Sequence, residues 1–462
     1  MRTPIRMHRG LAVAMAFAIV LGACSTQGTP SGGGAGAASA SPGSPGSPGS
    51  SAAASAGKGF VFASTQFTPT TEQEAMRTKI LAAYRGAPVD FITDAEGVIL
   101  DRITAESKAG GQGQVGLIGL ENGQFGSLVG PGYLQDLGAI VNQHSSQGIP
   151  ADFVTLGKLG TSTQLYVPWM QATFFMAVNK KALPYLPAGA DVNALTYDQL
   201  IAWGKNIQDK TGKRMIGLPA GNNGLLHRLV QGYLYPSYTG GLVTTYKSPE
   251  AVAMWEKIRE LWKVTNPQST TYAFMQEALQ SEEVWIGFDH AARLIKVLKD
   301  KPDEFIAVPA PAGPKGRYYM VVVVGLAIPK TTPNQAGAAA LIDYLLKPET
   351  QITTLRENSF FPVVKVDLPT DLNPGLKLEA GAVAKQAAAP DAKAVPLPVG
   401  LGAKGGDFNK AMIDTFTRIV VKNEDIKTVL AEQGALVQKA ITESNAKCWG
   451  PDGTSTGPCQ VK

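Results

Sequence analysis

The chain has 462 residues, of which 44% are hydrophobic and 17% are charged, and its formal net charge at pH 7 is +5. These values describe an ordinary globular protein that is long enough for two or three domains. The charge falls to +2 once residues 1–23, which carry three arginines and no acid, are removed, and this excludes the basic footprint of a nucleic-acid-binding protein.

The first residues have the pattern of a secretory signal. Three arginines precede an apolar stretch at 11–20, which is too short to span a bilayer, and Leu21-Gly22-Ala23-Cys24 follows it. The pattern resembles a bacterial lipoprotein signal, which implies cleavage after residue 23 and a diacylglyceryl group on the Cys24 thiol. We therefore expect an extracytoplasmic protein that is bound to the bacterial cell membrane only through lipid. A partial transmembrane helix with an incidental cysteine is the alternative.

Residues 24–58 separate this signal from the rest of the chain. Ser, Gly, Ala, Pro and Thr dominate the segment, which contains a threefold Ser-Pro-Gly repeat at 41–49. Such a composition cannot bury a core, so we expect a disordered tether that lets the folded part reach away from the membrane.

From residue 59 onward, short apolar runs alternate with helical patterns. The first expected elements are a strand at 60–63, a helix opened by a capping box from Thr71 to Glu74, a strand at 88–93, a helix at 96–108 and a strand at 114–120. This βαβ alternation predicts a parallel sheet covered by helices. The glycines at 111–116 match the dinucleotide-binding pattern in letters, but a helix precedes them and a strand follows, so we interpret them as a helix C-cap and turn.

The remainder of the chain continues the alternation. Further strands are expected at 165–167, 174–178, 215–218, 284–288, 305–308 and 319–328, and further helices are expected to begin at Thr196 and Ser248 and to cover 336–346, 408–420 and 426–444. One sheet containing all these strands would be unusually large, and strands are sparse at 221–282. The sequence therefore predicts two α/β lobes rather than one long sheet.

The remaining cysteines, Cys448 and Cys459, lie in a C-terminal tail, 448–462, that is rich in Gly, Pro and Thr. In an oxidising compartment we expect them to form a disulfide. Free or metal-binding thiols are the weaker alternative, because no His or second Cys pair lies beside them.

No catalytic centre is evident in the sequence. The histidines at 8, 144, 227 and 290 lack a second ligand at helical spacing, no Gly-x-Ser-x-Gly elbow is present, and no carboxylate pair stands out as acid and base. We therefore expect no metal, no cofactor and no enzymatic activity. Strand ends instead carry Gln, Asn, Asp and aromatic residues, a mixture that suits sugars, whose hydroxyls need oriented donors and acceptors while their C–H faces pack on flat rings.

Residues 166–183 carry a specific resemblance. The hexapeptide at 178–183, Val-Asn-Lys-Lys-Ala-Leu, matches the aliphatic-x-Asn-Lys-x-Leu strand of the family 1 extracellular solute-binding proteins, the carbohydrate receptors of ABC importers that include the maltose-binding-protein group. Further matches occur in the same order at 60–83, 195–200, 283–289 and 325–330, so the resemblance covers nearly all of 59–445.

The resemblance implies an α/β, two-lobed clamp of the class II periplasmic-binding-protein type, in which each lobe is a mostly parallel sheet flanked by helices and the chain crosses between lobes several times. The expected first lobe comprises 59–168 and 305–365, and the expected second lobe comprises 169–304 and 366–447. A sugar would close the clamp by contacting both lobes, and a membrane permease would recognise the closed monomer. A receptor for a non-sugar solute and a lipid-anchored glycan-degrading enzyme are the alternatives.

Ligands of the family lie on loops at the carboxyl ends of strands, which suggests the ligand-binding residues of this chain. They are Gln66, Asn122, Trp169, Gln171, Asn222, His227, Asp289, His290, Phe360 and Phe408. Trp169 is expected to be a stacking platform, with interlobe packing as the alternative. Asp289 is expected to accept hydrogen bonds from hydroxyls, with an i,i+4 pair to Arg293 as the alternative. For Phe360 and Phe408, core packing is the stronger interpretation.

Overall fold

A computed structural model describes residues 57–462 of the chain. The predicted signal peptide, the predicted lipidation site Cys24 and nearly all of the predicted tether lie outside the described residues. Among the helices of 57–462, none combines the length and the apolar character that crossing a bilayer would require.

The described chain alternates strands and helices much as its apolar pattern predicts. The strands are β1 (Phe60–Ser64), β2 (Val89–Thr93), β3 (Val115–Glu121), β4 (Val167–Ala172), β5 (Phe174–Asn179), β6 (Ile216–Gly217), β7 (Ile286–His290), β8 (Phe305–Val308), β9 (Arg317–Ala327), β10 (Phe361–Pro362) and β11 (Ala392–Pro396). The α-helices are α1 (Thr70–Ala75), α2 (Glu96–Ala109), α3 (Gly126–Val129), α4 (Gly138–Gln143), α5 (Ala151–Leu156), α6 (Tyr197–Thr211), α7 (Leu226–Leu229), α8 (Tyr235–Thr239), α9 (Pro249–Val264), α10 (Met275–Gln280), α11 (Ile295–Asp300), α12 (Gln335–Leu345), α13 (Pro348–Asn358), α14 (Pro374–Ala388), α15 (Gly405–Phe416) and α16 (Ile426–Ser444).

The strands form two sheets, each of which is the centre of one lobe. The larger sheet has the order β10-β4-β9-β3-β1-β2, with β11 paired to β9, and the smaller sheet has the order β6-β7-β5-β8. We call the larger sheet with its helices the first lobe and the smaller sheet with its helices the second lobe. The predicted α/β fold with two sheets is therefore confirmed.

Neither sheet is mostly parallel, which corrects one part of the expected architecture. In the larger sheet β1 pairs in parallel with β2 and β3, as the βαβ pattern predicts, but β9 is antiparallel to β3 and β4, and β10 is antiparallel to β4. In the smaller sheet β5 is antiparallel to both β7 and β8. Every antiparallel pair includes β4, β5 or β9, the strands that meet at the crossings between the lobes.

The chain passes from the first lobe to the second through a single residue. Strand β4 of the larger sheet ends at Ala172 and β5 of the smaller sheet begins at Phe174, so that Thr173 alone separates them. The chain returns through β9, and it leaves again between β10 and α14, which packs against β8. Thr173 Oγ1 donates a hydrogen bond to Met320 O in β9 at 2.7 Å, so the first two crossings are bonded to each other.

The pairing of the strands moves two of the expected lobe boundaries. The first lobe was expected to end at residue 168 and to resume at residue 305. Strand β4 instead keeps the chain in the larger sheet through Ala172, and Phe305–Val308 pairs with β5 in the smaller sheet. The reason is that β8 is an apolar edge strand that buries itself against β5 before the chain returns through β9.

Local signals at helix starts are confirmed in two cases and wrong in a third. Thr196 and Gln199 form a reciprocal capping box at the start of α6, and the Ser248 side chain accepts a hydrogen bond from Ala251 N at the start of α9. The predicted capping box at Thr71 is absent, since α1 begins at Thr70 directly after Pro69 and has no side-chain cap.

The C-terminal tail is closed by a disulfide and is joined to the second lobe by hydrogen bonds. The predicted disulfide between Cys448 and Cys459 is present, with the two Cα atoms 4.6 Å apart. The buried Asp452 carboxylate accepts hydrogen bonds from the backbone N–H groups of Leu242, Val243 and Thr244 at 2.8–3.2 Å. The tail is thus part of the folded unit.

Candidate functional site

The carboxyl ends of strands from both lobes come together between the two sheets. Arg228, in α7 of the second lobe, donates a hydrogen bond to the carboxylate of Glu121, the last residue of β3 in the first lobe, at 3.2 Å. Strand β4 leads directly into β5, so the two sheets lie next to each other. The carboxyl end of β7 then points toward the carboxyl ends of β1 and β3, and this brings Arg228 and Glu121 into contact. The region between these ends is the candidate functional site.

The first-lobe wall of the site is a chain of hydrogen bonds among polar side chains. Gln66 Nε2 donates to Thr65 Oγ1 at 3.1 Å, Thr65 Oγ1 donates to Gln124 Oε1 at 2.8 Å, and Gln124 Nε2 donates to Glu96 Oε2 at 3.3 Å. Gln66 was among the expected site residues, whereas Gln124 and Glu96 were not. The wall presents amide and carboxylate groups from three successive strand ends.

The second-lobe wall is built around two arginines. Besides its bond to Glu121, Arg228 donates to Gln231 Oε1 at 3.4 Å, and Gln231 Nε2 donates to Asn409 Oδ1 at 2.8 Å. Arg293 donates to the carbonyl oxygens of Asn223 and Ala273, each at 3.0 Å, and its guanidinium lies 4.4 Å from the centre of the Phe274 ring. These contacts hold both guanidinium groups in fixed positions.

Charge is segregated between the two walls. Burial raises the pKa of Glu72 to about 7, an effect that Arg293 opposes. Burial, and secondly the charge of Glu121, raises the pKa of Glu96 to about 7 as well. The first lobe thus contributes three acids and the second lobe two arginines, and near neutral pH the charges of Glu72 and Glu96 are sensitive to their surroundings.

The two histidines near these arginines, His227 and His290, are uncharged near neutral pH. Burial, together with the nearby charges of Arg293 and Arg228, lowers the pKa of His290 to about 3 and holds the pKa of His227 well below its usual value. Neutral imidazoles present one donor and one acceptor each. Within 57–462 no three His, Cys, Asp or Glu side chains are grouped as a metal site would require.

A cavity of about 580 Å³ with a mixed lining opens on the second-lobe side of the site. The residues that line it include Asn222, Asn223, His227, Arg293 and Asn409. The structure therefore brings two of the expected residues, Asn222 and His227, into one lining with Arg293. The sequence pattern suggested Arg293 only as an i,i+4 partner of Asp289. A contact of these residues with ligand remains a prediction.

Asp289 is not at the wall of the site, which contradicts its expected role. Its side chain is fully buried, and its two oxygens accept hydrogen bonds from Met275 N at 3.0 Å and His290 N at 2.8 Å. Asp289 thus orders the start of α10. His290 has a similar local role, because its Nδ1 accepts a hydrogen bond from Ala292 N at 3.2 Å.

The expected aromatic contacts are also corrected. Trp169 has no exposed surface and packs against Phe62 and Phe67 in the first lobe, with ring centres 5.6 and 5.7 Å apart, so it presents no platform for stacking. Phe360 is buried against Phe67. Core packing is the stronger interpretation given for Phe360. For Trp169 the stated alternative is interlobe packing, but its ring partners Phe62 and Phe67 both lie in the first lobe.

Three further expected residues lie away from the strand-end network. Phe408 is fully buried against Trp449, as core packing predicts. Gln171 Nε2 donates to Pro362 O at 2.8 Å and so connects β4 to β10 at the crossing. Asn122 is buried and lines a separate cavity between the lobes.

Sequence reasoning missed Glu96 and Gln124, and it did not predict which residues pair across the lobes. Glu96 could have been found, because it opens a helix directly after a predicted strand. Arg228 follows the same predicted strand as Asn222, Asn223 and His227, and the sequence leaves open which of these four reaches the cleft. Its partner Glu121 lies 107 residues away in the chain.

Residues 68–352 of the chain match the sequence pattern of the family described as "Bacterial extracellular solute-binding protein". The chain is a member of this family. The predicted family is thereby confirmed, and the protein is an extracellular receptor of an ABC transporter that binds a small solute and is not an enzyme.

Solved structures with the same fold belong to solute-binding proteins from several bacteria. The maltose-bound MalE3 of T. maritima is 17% identical, with 83% of this chain and 100% of that chain covered and a TM-score of 0.66. The GacH receptor of Streptomyces glaucescens, solved with acarbose, is 18% identical over 83% of this chain and 98% of its own, with a TM-score of 0.64. UgpB of Mycobacterium tuberculosis, in complex with glycerophosphocholine, is 16% identical over 84% and 99%, with a TM-score of 0.66. A search of curated proteins gave no significant match to this solute-binding protein.

Proposed function

We propose that this solute-binding protein captures a sugar between its two lobes as a monomer and delivers it unchanged to an ABC importer. The observation that carries the proposal is the meeting of amides, carboxylates and guanidinium groups from both lobes at the Glu121–Arg228 contact. Sugar hydroxyls both donate and accept hydrogen bonds, and a site that reads them needs oriented groups of both kinds. MalE3 and GacH, which share the fold, were solved with maltose and acarbose.

The same arrangement provides a reason for closure on the ligand. Gln66, Gln124 and Glu96 belong to the first lobe, whereas Arg228 and His227 belong to the second. A sugar that bonds to both sets interacts with the two walls only when the lobes are close together. Such a ligand has the differential affinity that a shift toward the closed state requires.

A second candidate solute is a zwitterion with a phosphodiester. The acids Glu72, Glu96 and Glu121 lie on one wall and the arginines Arg228 and Arg293 on the other. A molecule with a cationic end and an anionic end could therefore bridge the two walls with complementary charges. UgpB, with the same fold, was solved with glycerophosphocholine.

The test is a thermal-shift panel on the chain without residues 1–24, which retains every residue of the described part. Glucose, maltose, maltotriose, glycerophosphocholine and spermidine are compared at equal concentration. We expect a sugar to raise the melting temperature, since a ligand that binds only the folded state stabilises it, and we expect to recover that sugar intact. Stabilisation by glycerophosphocholine alone would favour the second candidate, and sugar breakdown would favour the glycan-degrading enzyme.

A pair of arginine variants locates the binding. Arg228→Ala should abolish most of the sugar-induced shift, because it removes donors from the second-lobe wall. Arg85→Ala is the matched control, since Arg85 is exposed and bonds only to local carbonyl oxygens. Equal shifts in the two variants would place the sugar elsewhere.

Attachment to the membrane by a lipid on Cys24 is a further part of the proposal. It is supported by the signal pattern of residues 1–23. Cells that express the full chain, fed an alkyne analogue of palmitate, should label the wild type and not Cys24→Ser. The serine variant should also leave the membrane fraction; label that persists in it would refute acylation at this position.

A further inference from the structure

The polar side chains that line the cavity of about 580 Å³ beside Arg293 are cationic or uncharged. Among the described residues of this lining, Arg293 and Lys410 are cationic, none is acidic, and three carry amides, namely Asn222, Asn223 and Asn409. The three acids of the first-lobe wall do not belong to it. Lys410 Nζ is paired with Asp414 Oδ2 at 2.6 Å, so Arg293 is the cation that remains for a ligand.

Arg293 has a guanidinium edge that is free to bind a ligand. Its Nη1 donates to Asn223 O and Ala273 O, whereas within 57–462 its Nε and Nη2 have no hydrogen-bond partner. Neither of these two atoms is closed off from solvent. The N–H bonds of Nε and Nη2 are parallel on one edge of the planar group, an arrangement that binds a carboxylate or a phosphate through two hydrogen bonds.

Arg293 also has no ion-pair partner in the described part of the chain. Asp289, Glu121 and Glu72 favour its charge, but no carboxylate oxygen of 57–462 lies within the 4.0 Å of its guanidinium that an ion pair requires. The oxygens of Asp289 are bonded to two backbone N–H groups, and Glu121 is paired with Arg228. Burial lowers the pKa of Arg293, which shows that its charge is poorly solvated. An anion at the free edge compensates this charge.

Asn409 presents a second donor, and its orientation follows from the roles of its neighbours. Because an arginine can only donate, Gln231 accepts from Arg228 through its oxygen and donates through its nitrogen to Asn409 Oδ1. The Nδ2 group of Asn409 is left without a partner within 57–462, and it is not closed off from solvent. Asn409 thus offers the cavity N–H groups beside the cation.

We propose that the cavity beside Arg293 binds an acidic group of the substrate, so that the solute of this protein is an anionic sugar. The inference rests on the proposed function for the sugar ring. The acidic group, a carboxylate or a phosphate, accepts hydrogen bonds from the Nε–Nη2 edge of Arg293 and from Nδ2 of Asn409. The ring hydroxyls then bond to the polar groups of the first-lobe wall.

A neutral sugar matches these donors less well. A hydroxyl can accept a hydrogen bond from Arg293 or from Asn409 Nδ2, but its own proton then needs an acceptor elsewhere. A carboxylate or a dianionic phosphate has only acceptor oxygens on its acidic group. Hydrogen bonds between ionised partners are also roughly twice as strong as those between neutral groups.

The test compares acidic and neutral sugars by isothermal titration of the chain without residues 1–24. The matched pairs are glucuronate with glucuronamide, galacturonate with galactose, and glucose 6-phosphate with glucose. In at least one pair the acid should bind about tenfold more tightly or better, since it forms charge-assisted hydrogen bonds that its partner cannot form. The uronate and phosphate pairs distinguish the two kinds of acidic group.

Two variants locate the preference. Asn409→Asp keeps an oxygen for Gln231 but replaces the donor by an anionic oxygen, so the acid should bind no better than its neutral partner. Arg293→Gln should lower the ratio of acid to neutral affinity by about tenfold, because the cation is lost. Asn142→Asp adds the same charge at an exposed position of α4 outside the lining, and it should keep the wild-type ratio.

The outcomes separate this inference from the proposed function. The anion site is overturned, and the sugar receptor stands, if the neutral sugar binds at least as tightly as the acid in every pair that binds. It is equally overturned if either variant, once folded, keeps the wild-type ratio. The wild-type comparison decides alone where neither variant folds. If none of the six sugars binds, the anion site and the proposed sugar specificity are both overturned.

Discussion

Arg228 and Glu121 join the two lobes through one hydrogen-bonded ion pair, 3.2 Å long, whose side chains are 15% and 21% exposed. The pair is largely shielded from water, so removal of one partner leaves the other charge uncompensated in a poorly solvated place. It is formed only while the lobes are in contact. The pair therefore contributes to the closed arrangement even without a ligand.

Removal of this pair should loosen the contact between the lobes. Arg228→Ala, and separately Glu121→Gln, should increase the radius of gyration of the unliganded protein in small-angle X-ray scattering, because a hydrogen bond to a charged group contributes about 1.5–3 kcal/mol. Adding Glu121→Gln to Arg228→Ala should have little further effect, since the pair is already broken. Arg85→Ala is the control, and equal radii for it and Arg228→Ala would show that the pair does not hold the lobes.

Contact between the lobes should also depend on pH through Glu72 and Glu96. Their pKa values are about 7 in this arrangement, compared with an ordinary value of 4.5 that they would approach in water. The arrangement with the lobes in contact therefore binds more protons than the separated lobes do. Its stability is fully present at low pH and is lost as the pH rises through about 7. Arg228 and Arg293 oppose this effect, whereas Glu121 adds to it.

Scattering between about pH 5 and about pH 8.5 measures this effect, and the radius of gyration should increase with pH. The double change Glu72→Gln and Glu96→Gln should flatten the dependence, because amides do not titrate. Glu74→Gln, at an exposed position in the same helix as Glu72, should leave it unchanged. A radius that stays constant across this range in the wild type would contradict the prediction.

Asp289→Ala should reduce stability more than it reduces sugar affinity. The change leaves Met275 N and His290 N without their acceptor in a fully buried place, which costs about 1–3 kcal/mol for each unpaired group. Urea unfolding gives the stability, and the thermal-shift panel gives the affinity. Asp303→Ala, which changes an exposed acid, serves as the control. A large loss of affinity at unchanged stability would restore Asp289 as a ligand contact.

Glu379 should make the second lobe less stable at high pH. This side chain in α14 is fully buried, its oxygens have no hydrogen-bond partner within 57–462, and burial raises its pKa to about 8 despite the charge of Lys299. The folded state keeps the proton that the unfolded state loses at about 4.5, so stability is lost between about pH 4.5 and about pH 8.

Glu379→Gln removes this loss. Compared with the wild type, its free energy of unfolding should decline less between about pH 5 and about pH 8, by up to about 1.4 kcal/mol per pH unit. Urea unfolding at several pH values measures the difference. Glu74→Gln provides the exposed control, and parallel pH profiles for wild type and Glu379→Gln would refute the prediction.

Asp452→Ala should detach the C-terminal tail locally. The carboxylate accepts three backbone N–H groups from Leu242 to Thr244, and these donors would lose their partner in a buried turn. Hydrogen exchange at those three amides should accelerate and the free energy of unfolding should fall by about 1–3 kcal/mol. Asp209→Ala, at an exposed helix position, is the control; unchanged exchange at 242–244 would contradict the assignment.

Much of the fold follows from local sequence patterns. The strands at 60–63 and 114–120 and the helix at 96–108 were predicted almost to their ends, because a buried strand or helix needs a local apolar pattern whatever its partners are. The capping box at Thr196 and the disulfide of the tail followed from equally local chemistry. The antiparallel crossings did not, since strand direction depends on where the chain goes next.

The site was predicted less well for a physical reason. In the sequence, a strand-end acid such as Asp289 looks the same whether its carboxylate faces a ligand or two backbone N–H groups. Only the tertiary structure shows which of these it contacts. Trp169 is apolar enough for either stacking or core packing. The pairing of Arg228 with Glu121 became recognisable only when the fold brought them together.

The hydrogen bond between Thr173 and Met320 restricts how the two lobes can move relative to each other. Two of the strands that connect the halves are bonded at this point, through Thr173 Oγ1 and Met320 O, and Tyr233 Oη donates to Phe174 O at 3.2 Å beside them. Strands fastened side by side cannot slide past each other without breaking these bonds. We therefore expect the relative movement of the lobes to be mainly a rotation about an axis near this point, with the largest displacement at the mouth of the clamp farthest from it.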